Sequence, residues 1–450
     1  MSRTGWVASM IACAAIHGIA HAVTFTATTT LDSLDASPGD GVCADADGQC
    51  SLRAAIQEAN ALAGEDTIML GAGTYAFTRA GGNEDAAASG DLDITDDLGL
   101  QGTGAEATII DGGALDRVVD LRGSTPHSVR LENLTLRNGF LGTTAWTGSF
   151  SGLGGVGIRV GTGTHLTMSH VDVSDNHSAN MFGAVAIDNT GCIEGDHVRI
   201  IGNTDLDDVG SGRAASGGIE TDGKNTCLVL EDSEISGNRG DLSGALHVDG
   251  GASVTFRRTL IADNSARFAG GLELNIGGEV LLENVTISGN AGNPGAALVD
   301  GGTRFTLVNS TVTANHGSNG TPVTGGILDV HGGFGLTFLR NTILAANGSG
   351  EITTIAATAT RSAATSSAAS PAAISMRRRA TSSTSMPASV RSPTTGVSHA
   401  RTCPAPMRSI MASPMVARYR ISAASSVRRM ATRTASRPAT SERWRSATAM

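Results

Sequence analysis

The chain has 450 residues, a formal net charge of −10, 59 glycines and only 3% aromatic residues. So few aromatic side chains exclude a compact domain built around large rings, and they favour thin stacked layers of aliphatic residues separated by tight turns. Residues 23–350 carry 16 basic and 40 acidic side chains, whereas residues 351–450 carry 15 arginines and two glutamates. Because nucleic-acid phosphates require a basic surface, the acidic body argues against nucleic acid as a partner.

The first 22 residues have the pattern of an export signal. Arg3 supplies a positive start, an apolar run follows, and Ala20-His21-Ala22 forms a small-x-small cleavage site. A transmembrane helix needs about 20 continuous apolar residues, and no segment of the sequence meets that requirement. We therefore expect a signal peptide over 1–22, no transmembrane segment, and a secreted or cell-surface location.

The segment that follows predicts a cap for a repetitive fold. Residues 50–62, CSLRAAIQEANAL, have the apolar spacing of a short helix, and Ser51 is suited to be its N-cap. An amphipathic helix here would cover the open end of the first repeat. Stacked repeats need such a cover, because an exposed edge invites further strand pairing.

A short polar loop lies between Cys43 and Cys50, just before this helix. In an exported protein the two cysteines predict a disulfide that fixes the cap. Asp40, Asp45 and Asp47 are candidate calcium ligands, and calcium is the one cofactor that the sequence suggests. No complete calcium loop is present, so we favour a solvated acidic turn.

An internal repeat of about 26 residues runs through the middle of the chain. The segments LEDSEISGN, RRTLIADN, LENVTISGN and LVNSTVTAN each end in Asn, and HVDVSDN and HVRIIGN extend the series upstream. Apolar residues recur at fixed positions before each Asn, with the two-residue alternation of a strand that has one buried face. The repeated asparagines are Asn176, Asn203, Asn238, Asn264, Asn290 and Asn315.

Each repeat also holds a second strand that opens with small residues and ends in glycines, as in SGALHVDGG and GGLELNIGG. Strands this short are stable when each pairs with its copy in the next repeat, about 4.8 Å away. The sequence therefore predicts an all-β, right-handed parallel β-helix (a solenoid) with a short N-terminal helical cap and a disordered C-terminal tail. Leucine-rich repeats are excluded because their second half is helical. We expect the asparagines to stack at a turn, with amides bonded to backbone and with a tolerance of the left-handed conformation that helps the corner.

Two further cysteines fall at matching positions of the repeat. Cys192 and Cys227 each lie 11 residues before their repeat asparagine, so they are expected to lie side by side in adjacent rungs. One rung falls within the Cα separation of roughly 4.4–6.8 Å that a disulfide tolerates. A disulfide and a stack of two thiols both remain open.

The N-terminal segment resembles a known family. CSLRAAIQEAN, residues 50–60, is similar to the CSLREA domain of secreted bacterial proteins, with Ala54 and Ala55 where the family name has Glu-Ala. That domain typically precedes a parallel β-helix of the pectin-lyase-like type, and the repeats are similar to those of bacterial surface and autotransporter passenger proteins. The resemblance covers roughly residues 23–347. Together with the export signal and the composition, it predicts a signal peptide over 1–22, a CSLREA-like cap over 23–90, a parallel β-helix over 91–350 and a tail over 351–450.

The composition changes sharply at that tail. Residues 351–450 contain no Asp, no Lys and a single glycine, Gly396. A disordered basic tail is one interpretation. The other is translation in a shifted reading frame, because back-translation with GC-rich codons and a shift of two nucleotides gives strings such as LPGTDALDHG. These resemble the carboxy-terminal segment that commonly follows such β-helices, and the gene sequence decides between the two.

The best candidates for catalysis are Asp205, Asp207 and Asp208, in the insertion after Asn203. The Asn-Thr-Asp there resembles a polygalacturonase motif, but the partner motifs Gly-His-Gly and Arg-Ile-Lys are absent, and an acidic surface loop is the simpler interpretation.

Other polar residues are weaker candidates. His247 and His331 occupy similar strand positions three rungs apart, too far to share a metal. Arg159, Arg257 and Arg258 could serve a lyase, although isolated surface arginines are the simpler account.

The sequence leaves two functions open. The first is a secreted or cell-surface scaffold that binds polysaccharide or other surface ligands, as an adhesin does. The alternative is a polysaccharide lyase or glycoside hydrolase of the pectin-lyase-like type, with its site in the insertions at 140–153 and 204–216. An enzyme should bring Asp205, Asp207 or Asp208 together with an arginine in a groove, whereas a binding scaffold need not.

Overall fold

The computed structural model describes residues 21–82, 84–142, 154–179, 183–205, 216–221, 223–317, 324–330, 336–348 and 350–355. Within these residues the chain winds into a parallel β-helix, because the paired strands run parallel and each pair joins a strand to its copy in the next turn of the chain. Connections between parallel strands are right-handed for steric reasons. The predicted fold class is confirmed.

Three sheets run along the helix axis. In the described residues, sheet A holds 19 strands: β1 Thr24–Thr26, β2 Asp66–Met69, β3 Gly73–Ala76, β5 Leu98–Gln101, β6 Thr108–Asp111, β8 Ser128–Arg137, β11 His165–Ser174, β14 Cys192–Asp196, β15 Arg199–Ile201, β18 Cys227–Glu231, β19 Glu234–Ser236, β22 Ser253–Arg257, β23 Leu260–Ala262, β26 Glu279–Glu283, β27 Thr286–Ser288, β30 Arg304–Val308, β31 Thr311–Thr313, β34 Leu336–Arg340 and β35 Ile343–Ala345.

The other two sheets are built from shorter strands. Sheet B holds ten in the described part of the chain: β4 Leu92–Ile94, β7 Val119–Leu121, β10 Ile158–Val160, β13 Val185–Ile187, β17 Ile219–Thr221, β21 Leu246–Val248, β25 Leu272–Leu274, β29 Ala297–Val299, β33 Ile327–Val330 and β36 Ile352–Ile355. Sheet C holds seven over the same residues: β9 Phe140–Leu141, β12 His177–Ser178, β16 Thr204–Asp205, β20 Arg239–Gly240, β24 Ser265–Ala266, β28 Ala291–Gly292 and β32 His316–Gly317.

The repeated apolar positions form the interior. A typical rung passes from β22 through β23 and β24 to β25, and alternate residues of each strand face inward. In sheet A, one interior column is in register from rung to rung and at most 2% exposed. Its members are Leu228, Val254, Val280 and Phe305. The prediction that these alternating apolar residues face the core is therefore confirmed.

The repeated asparagines form a buried ladder between sheets A and C. The side-chain oxygen of Asn264 accepts from both the backbone N–H and the side-chain amide of Asn238, each at 3.0 Å. The Asn264 amide donates to the carbonyl of Ile235 at 2.9 Å and to Asn290 at 3.0 Å. The same pattern runs from Asn176 to Asn315 and continues to Asn347, so the ladder is one member longer than the predicted series.

One detail of that prediction is wrong. The ladder asparagines are absent from the residues with positive φ, so their tolerance of the left-handed conformation plays no part. The residue before each ladder position takes that conformation instead, as in Asp175 (φ 52°), Gly237 (φ 64°) and Asp263 (φ 54°). The asparagine is needed for its amide, because the corner has backbone groups that only a buried donor and acceptor can satisfy.

Both cysteine pairs form disulfides. Cys43 and Cys50 have a Cα separation of 5.1 Å, and Cys192 and Cys227 have one of 4.5 Å. The second pair is in direct register between β14 and β18. The alternative of a thiol stack is therefore not what the structure shows.

The predicted cap helix is present and its apolar face is buried. Helix α1, Leu52–Ala61, begins at Ser51, whose hydroxyl accepts from the Ala54 N–H at 3.0 Å. The predicted apolar face, Leu52, Ala55, Ile56 and Ala59, is buried.

Strands β1–β3, which lie in the segment expected to be a separate cap, belong to sheet A. The sheet is therefore continuous across residues 90 and 91, and β36 extends the coil past residue 350. Of the predicted tail, residues 356–450 lie outside the described residues. Among the helices that the structure describes, none is long and apolar enough to cross a membrane.

Candidate functional site

A row of polar side chains follows the outer face of sheet B. The middle residue of each strand points away from the core, since its two neighbours are buried inside, as Leu246 and Val248 are on either side of His247. These middle residues are in register over nine rungs, and we call them the sheet B row. The row consists of Asp93, Asp120, Arg159, Ala186, Glu220, His247, Glu273, Leu298 and Leu328.

The first part of the row is a network of ion pairs around Asp120. Its carboxylate accepts from Arg117 at 2.6 Å, from Arg122 at 2.7 Å and from Arg159 at 3.0 Å. Burial alone would raise the pKa of Asp120, but the three guanidinium groups lower it below its usual value. Arg159 continues the network to Asp188 at 2.6 Å. The charges here satisfy one another, which is typical of a structural network.

Asp91 and Asp93 lie beside Asp120, and the three carboxylates are within 4.8 Å of one another. Burial raises the pKa of Asp91 to about 8 and that of Asp93 to about 7, and the nearby arginines offset this only in part. Carboxylate oxygens are suitable calcium ligands. Both oxygens of Asp120 already accept from guanidinium groups, however, and this concentration of positive charge opposes a cation at the same place.

The second part of the row is centred on His247. The imidazole Nδ1 lies 3.2 Å from a carboxylate oxygen of Glu220, whose other oxygen accepts from the backbone N–H of Ser216 at 3.3 Å. Burial disfavours the charged imidazole, but Glu220 and then Glu273 and Asp249 outweigh it, so the pKa of His247 rises to about 9. At neutral pH the histidine is therefore a cation held between carboxylates.

Glu273, the next acidic member of the row, has one paired and one unpaired carboxylate oxygen. One carboxylate oxygen accepts from the Asn275 amide at 3.0 Å, whereas the other, Oε2, is buried and has no hydrogen-bond partner among the described residues. Burial raises the pKa of this carboxyl. A buried acceptor without a donor costs free energy, so such an atom marks a place where a donor is missing.

Asp205, the one predicted catalytic aspartate among the described residues, does not join this row. Asp205 lies on β16 of sheet C, in register with Ser178, and is 1% exposed. Asp207 and Asp208 lie outside the described residues, as do residues 143–153 and 206–215 of the two predicted insertions. The described part of the chain therefore places its outward polar row on a different sheet from Asp205.

The predicted calcium ligands do not come together either. Asp45 accepts from the Ser33 hydroxyl at 2.6 Å and from the backbone of Asp47 and Gln49, and the hydrogen bond from Ser33 is the main reason that its pKa is lowered. Asp40 accepts from the Val42 N–H at 2.9 Å. Asp40, Asp45 and Asp47 do not form one of the groups of ligand atoms that lie within 4.8 Å of one another in the described chain. The carboxylates order the loop instead.

The interpretation of three arginines as isolated surface residues is wrong. Arg159 bridges Asp120 and Asp188. Arg257 and Arg258 both pair with Glu231 at 2.7 Å, and Arg258 also pairs with Asp232. His331, the proposed counterpart of His247, lies outside the described residues.

The acidic members of the row were missed by the sequence analysis, although a signal existed. In GGIETDG, SGALHVDGG and GGLELNIGG the residues Glu220, His247 and Glu273 fall at the same position between two inward-facing residues. Reading the alternation for its outward members would have placed the three in one row.

One comparison with known proteins, that with a family model, agrees with this architecture. Residues 127–343, just under half of the chain, match the family described as "Right handed beta helix region". One similar solved structure is described as "Crystal structure of pectate lyase Pel9A", with 12% identity, a TM-score of 0.33, and coverage of 78% of this chain and 83% of that one. Another is described as "Geobacillus virus E2 - ORF18", with 10% identity, a TM-score of 0.20, and coverage of 62% of this chain and 52% of that one. None of the curated proteins matches the sequence.

Proposed function

We propose that this chain is an exported binding protein that holds a polysaccharide along the outer face of sheet B. The observation that carries the proposal is the sheet B row, in which hydrogen-bonding side chains stand in register over two runs of three rungs separated by Ala186. Rungs are about 4.8 Å apart, close to the length of one sugar unit in an extended glycan. A straight row of polar groups at that spacing suits a long repetitive ligand.

The pairing of charges within the row favours binding over catalysis. Asp120 is surrounded by arginines, and Glu220 is bonded to His247 and to the backbone. Hydrolysis of a glycosidic bond needs two carboxyl groups about 5–9 Å apart, one as the acid and the other as a base or nucleophile. In the described row, Asp93 and Glu273 each have an oxygen without a hydrogen-bond partner. They lie six rungs apart, so the row offers polar contacts rather than a catalytic pair.

Export is the second part of the proposal. The sequence pattern of residues 1–22 is that of a signal peptide. Two disulfides support an oxidising compartment outside the cytoplasm, where such bonds persist.

We also propose that residues 23–90 are a module of the CSLREA type. The motif residues have structural roles that suit a cap: Cys50 forms a disulfide, Ser51 begins α1, and Arg53 and Glu58 bind neighbouring loops.

The binding proposal is tested with matched leucine variants of the full mature chain. Leu298 on β29 and Leu281 on β26 are both half-buried, outward residues at the middle of a strand, one on sheet B and one on sheet A. A glycan panel of pectin, alginate, xylan, mannan, cellulose and chitin fragments first identifies ligands by calorimetry. Leu298→Ala should then weaken binding roughly fivefold, about 1 kcal/mol of lost apolar contact.

Leu281→Ala is the control and should leave the affinity unchanged. Equal losses in the two variants, or the absence of binding across the panel, would contradict a ligand on the sheet B face.

A lyase or hydrolase is the second candidate, and Glu273 is the observation that favours it. A carboxyl whose pKa is raised by burial is suited to act as a general acid. The same glycans, incubated with the protein with and without calcium, would show new reducing ends or the absorbance of unsaturated products. Activity that Glu273→Gln abolishes and Glu279→Gln retains would replace the binding proposal, because Glu279 is an exposed glutamate on the other face.

A further inference from the structure

The rung that contains β25 differs from its neighbours on the sheet B face. Its middle residue is Glu273, and the turns on either side carry exposed apolar side chains, Phe268 at 41% exposure and Ile276 at 60%. Phe268 lies on the turn that enters the strand and Ile276 on the turn that leaves it. A buried acid between two exposed apolar groups is the composition of a small ligand site, where apolar walls surround a few polar groups.

The backbone at Ile276 is strained in a way that its counterparts are not. Its φ is 49°, in the left-handed region, where a β-branched residue is rare. The equivalent turns of the two neighbouring rungs have Gly250 (φ 68°) and Gly301 (φ 62°), which adopt this conformation without cost. Strained residues concentrate at binding sites, and here the strained residue is an exposed apolar one in the turn that follows the strand of Glu273.

The unpaired oxygen of Glu273 indicates the chemistry of the missing partner. Glu273 is 6% exposed, and its Oε2 has no donor among the described residues. A ligand group that donates hydrogen bonds satisfies this atom, and a positively charged donor does so most strongly, because charge-assisted bonds are about twice as strong as neutral ones.

The surrounding charges favour the same kind of donor. From β21 to β29 the row and its two flanking turns carry four carboxylates, and the cations beside them are already engaged: His247 binds Glu220, and Arg267 pairs with Asp241 at 3.3 Å. The four carboxylates are Asp241, Asp249, Glu273 and Asp300. His247 also acts on Glu273, so the stretch carries both signs with carboxylates in excess. A polyuronate would meet more like than opposite charge here, whereas an ammonium group would meet more opposite than like charge.

We propose that Glu273, with Phe268 and Ile276 on either side, forms a subsite for an amino sugar. The ammonium group of the sugar donates to Oε2 of Glu273, and the apolar face of the sugar ring packs against the exposed side chains. The inference rests on the proposed binding function and specifies its ligand: a glycan with free amino groups rather than carboxylates.

Three hexasaccharides with similar extended backbones test the charge requirement. They are β-1,4-linked glucosamine, which is cationic at mildly acidic pH, β-1,4-linked N-acetylglucosamine, which is neutral, and oligogalacturonate, which is anionic. Calorimetry with the full mature chain, without calcium, should show the glucosamine hexamer binding about tenfold tighter than the neutral one. Its affinity should also fall as salt rises.

Two matched glutamate variants test which carboxylate gives the preference for the cationic hexamer. Glu273→Gln keeps the size of the side chain and its acceptor for Asn275, and it should reduce glucosamine affinity to that of the neutral hexamer. Glu279→Gln removes the same charge from an exposed position on sheet A and should leave the preference intact. Phe268→Ala should weaken the cationic and neutral hexamers alike, by roughly fivefold. Unchanged circular dichroism and thermal midpoints establish that all three variants are folded.

Several results would overturn the subsite. These are galacturonate binding as tight as glucosamine, equal affinities for the cationic and neutral hexamers, or the same loss in Glu279→Gln as in Glu273→Gln. Binding of the neutral hexamer with no cationic preference would overturn the subsite but leave the sheet B binding face. Absence of binding by all three hexamers and by the wider glycan panel would overturn both.

Discussion

In the cap, single side chains join segments that are far apart in sequence, whereas in the coils from Asn176 to Asn347 one contact is repeated in every rung. Arg53 is 1% exposed and donates to the carbonyls of Ala87, Gly90 and Asp91 while pairing with Asp32. Each ladder asparagine, by contrast, makes the same few bonds as the next.

This difference predicts how strongly the stability of each region depends on a single side chain. A solenoid is stabilised by contacts between nearest neighbours, so damage to one rung is shared with the rungs beside it. The cap has no second copy of Arg53 or Glu58 to compensate for a loss, and it covers the end at which the stack begins. Substitutions in the cap are therefore expected to cost more than equivalent substitutions in a coil.

The largest effect is expected for Arg53→Ala. The change leaves three buried carbonyls and the Asp32 carboxylate without their partner, and it should lower the free energy of unfolding by about 4 kcal/mol. Arg79→Ala is the matched control, because Arg79 donates to the Ala88 carbonyl of the same loop but is exposed. Urea denaturation measures both, and similar midpoints for the two variants would show that the buried contacts of Arg53 do not hold the cap.

Each region contains one disulfide, so the stability lost on removing each one compares the two regions. Cys43–Cys50 closes a sequence separation of 7 residues and Cys192–Cys227 one of 35. On the loop-entropy relation, their removal should cost about 2.5 and about 3.8 kcal/mol respectively. Double serine variants, compared by urea denaturation, test the order. A larger loss for the cap pair would mean that its role exceeds loop closure and would strengthen the contrast between cap and coil.

Removal of one ladder member is expected to have a smaller effect that spreads over its neighbours. Asn264→Ala removes the partner of the Asn238 backbone N–H and of the Ile235 carbonyl. Asn290 keeps the bond from the residue 264 backbone N–H and loses only that from the Asn264 amide. The cost should be about 2–3 kcal/mol. Hydrogen exchange should lose protection in the rungs on both sides. Asn189→Ala, at an exposed turn position, should change neither measurement, and faster exchange confined to the rung of Asn264 would argue against a cooperative ladder.

The last prediction concerns pH at the junction of the two regions. Burial raises the pKa of Asp91 to about 8 and of Asp93 to about 7, so between about pH 4 and pH 8 the folded chain keeps protons that the unfolded chain releases. These two groups therefore make the protein less stable as pH rises through that range.

Asp91→Asn should flatten this dependence, and thermal midpoints across the pH range measure it. Asp47→Asn removes an exposed carboxylate of the cap and serves as the control. A wild-type profile that rises with pH, or a variant profile as steep as the wild type, would contradict a protonated Asp91.

The coils could be predicted from sequence because their structure is periodic. Inward positions such as Val254 and Phe256 alternate with outward ones, and the spacing of the asparagines sets the register of neighbouring rungs. The same spacing aligned Cys192 with Cys227. The period is a property of neighbouring positions along the chain, so it can be read from the sequence without the folded structure.

The candidate site was not predicted, because its properties come from neighbours that the sequence does not identify. Glu273 is one glutamate among many until its rung is stacked on that of His247 and its second oxygen is left without a donor. The raised pKa values of Asp91 and Asp93 likewise depend on burial against segments distant in the chain.

The sequence by itself determined the repeat, the inward face of each strand, the cap helix and the positions of both cysteine pairs. Only the tertiary structure decided which outward residues meet, which charges neutralise each other and which acceptor stays unpaired. The physical reason is that apolar alternation has a fixed period along the chain, whereas electrostatic environment depends on distances between separate rungs and on the water that stacking removes.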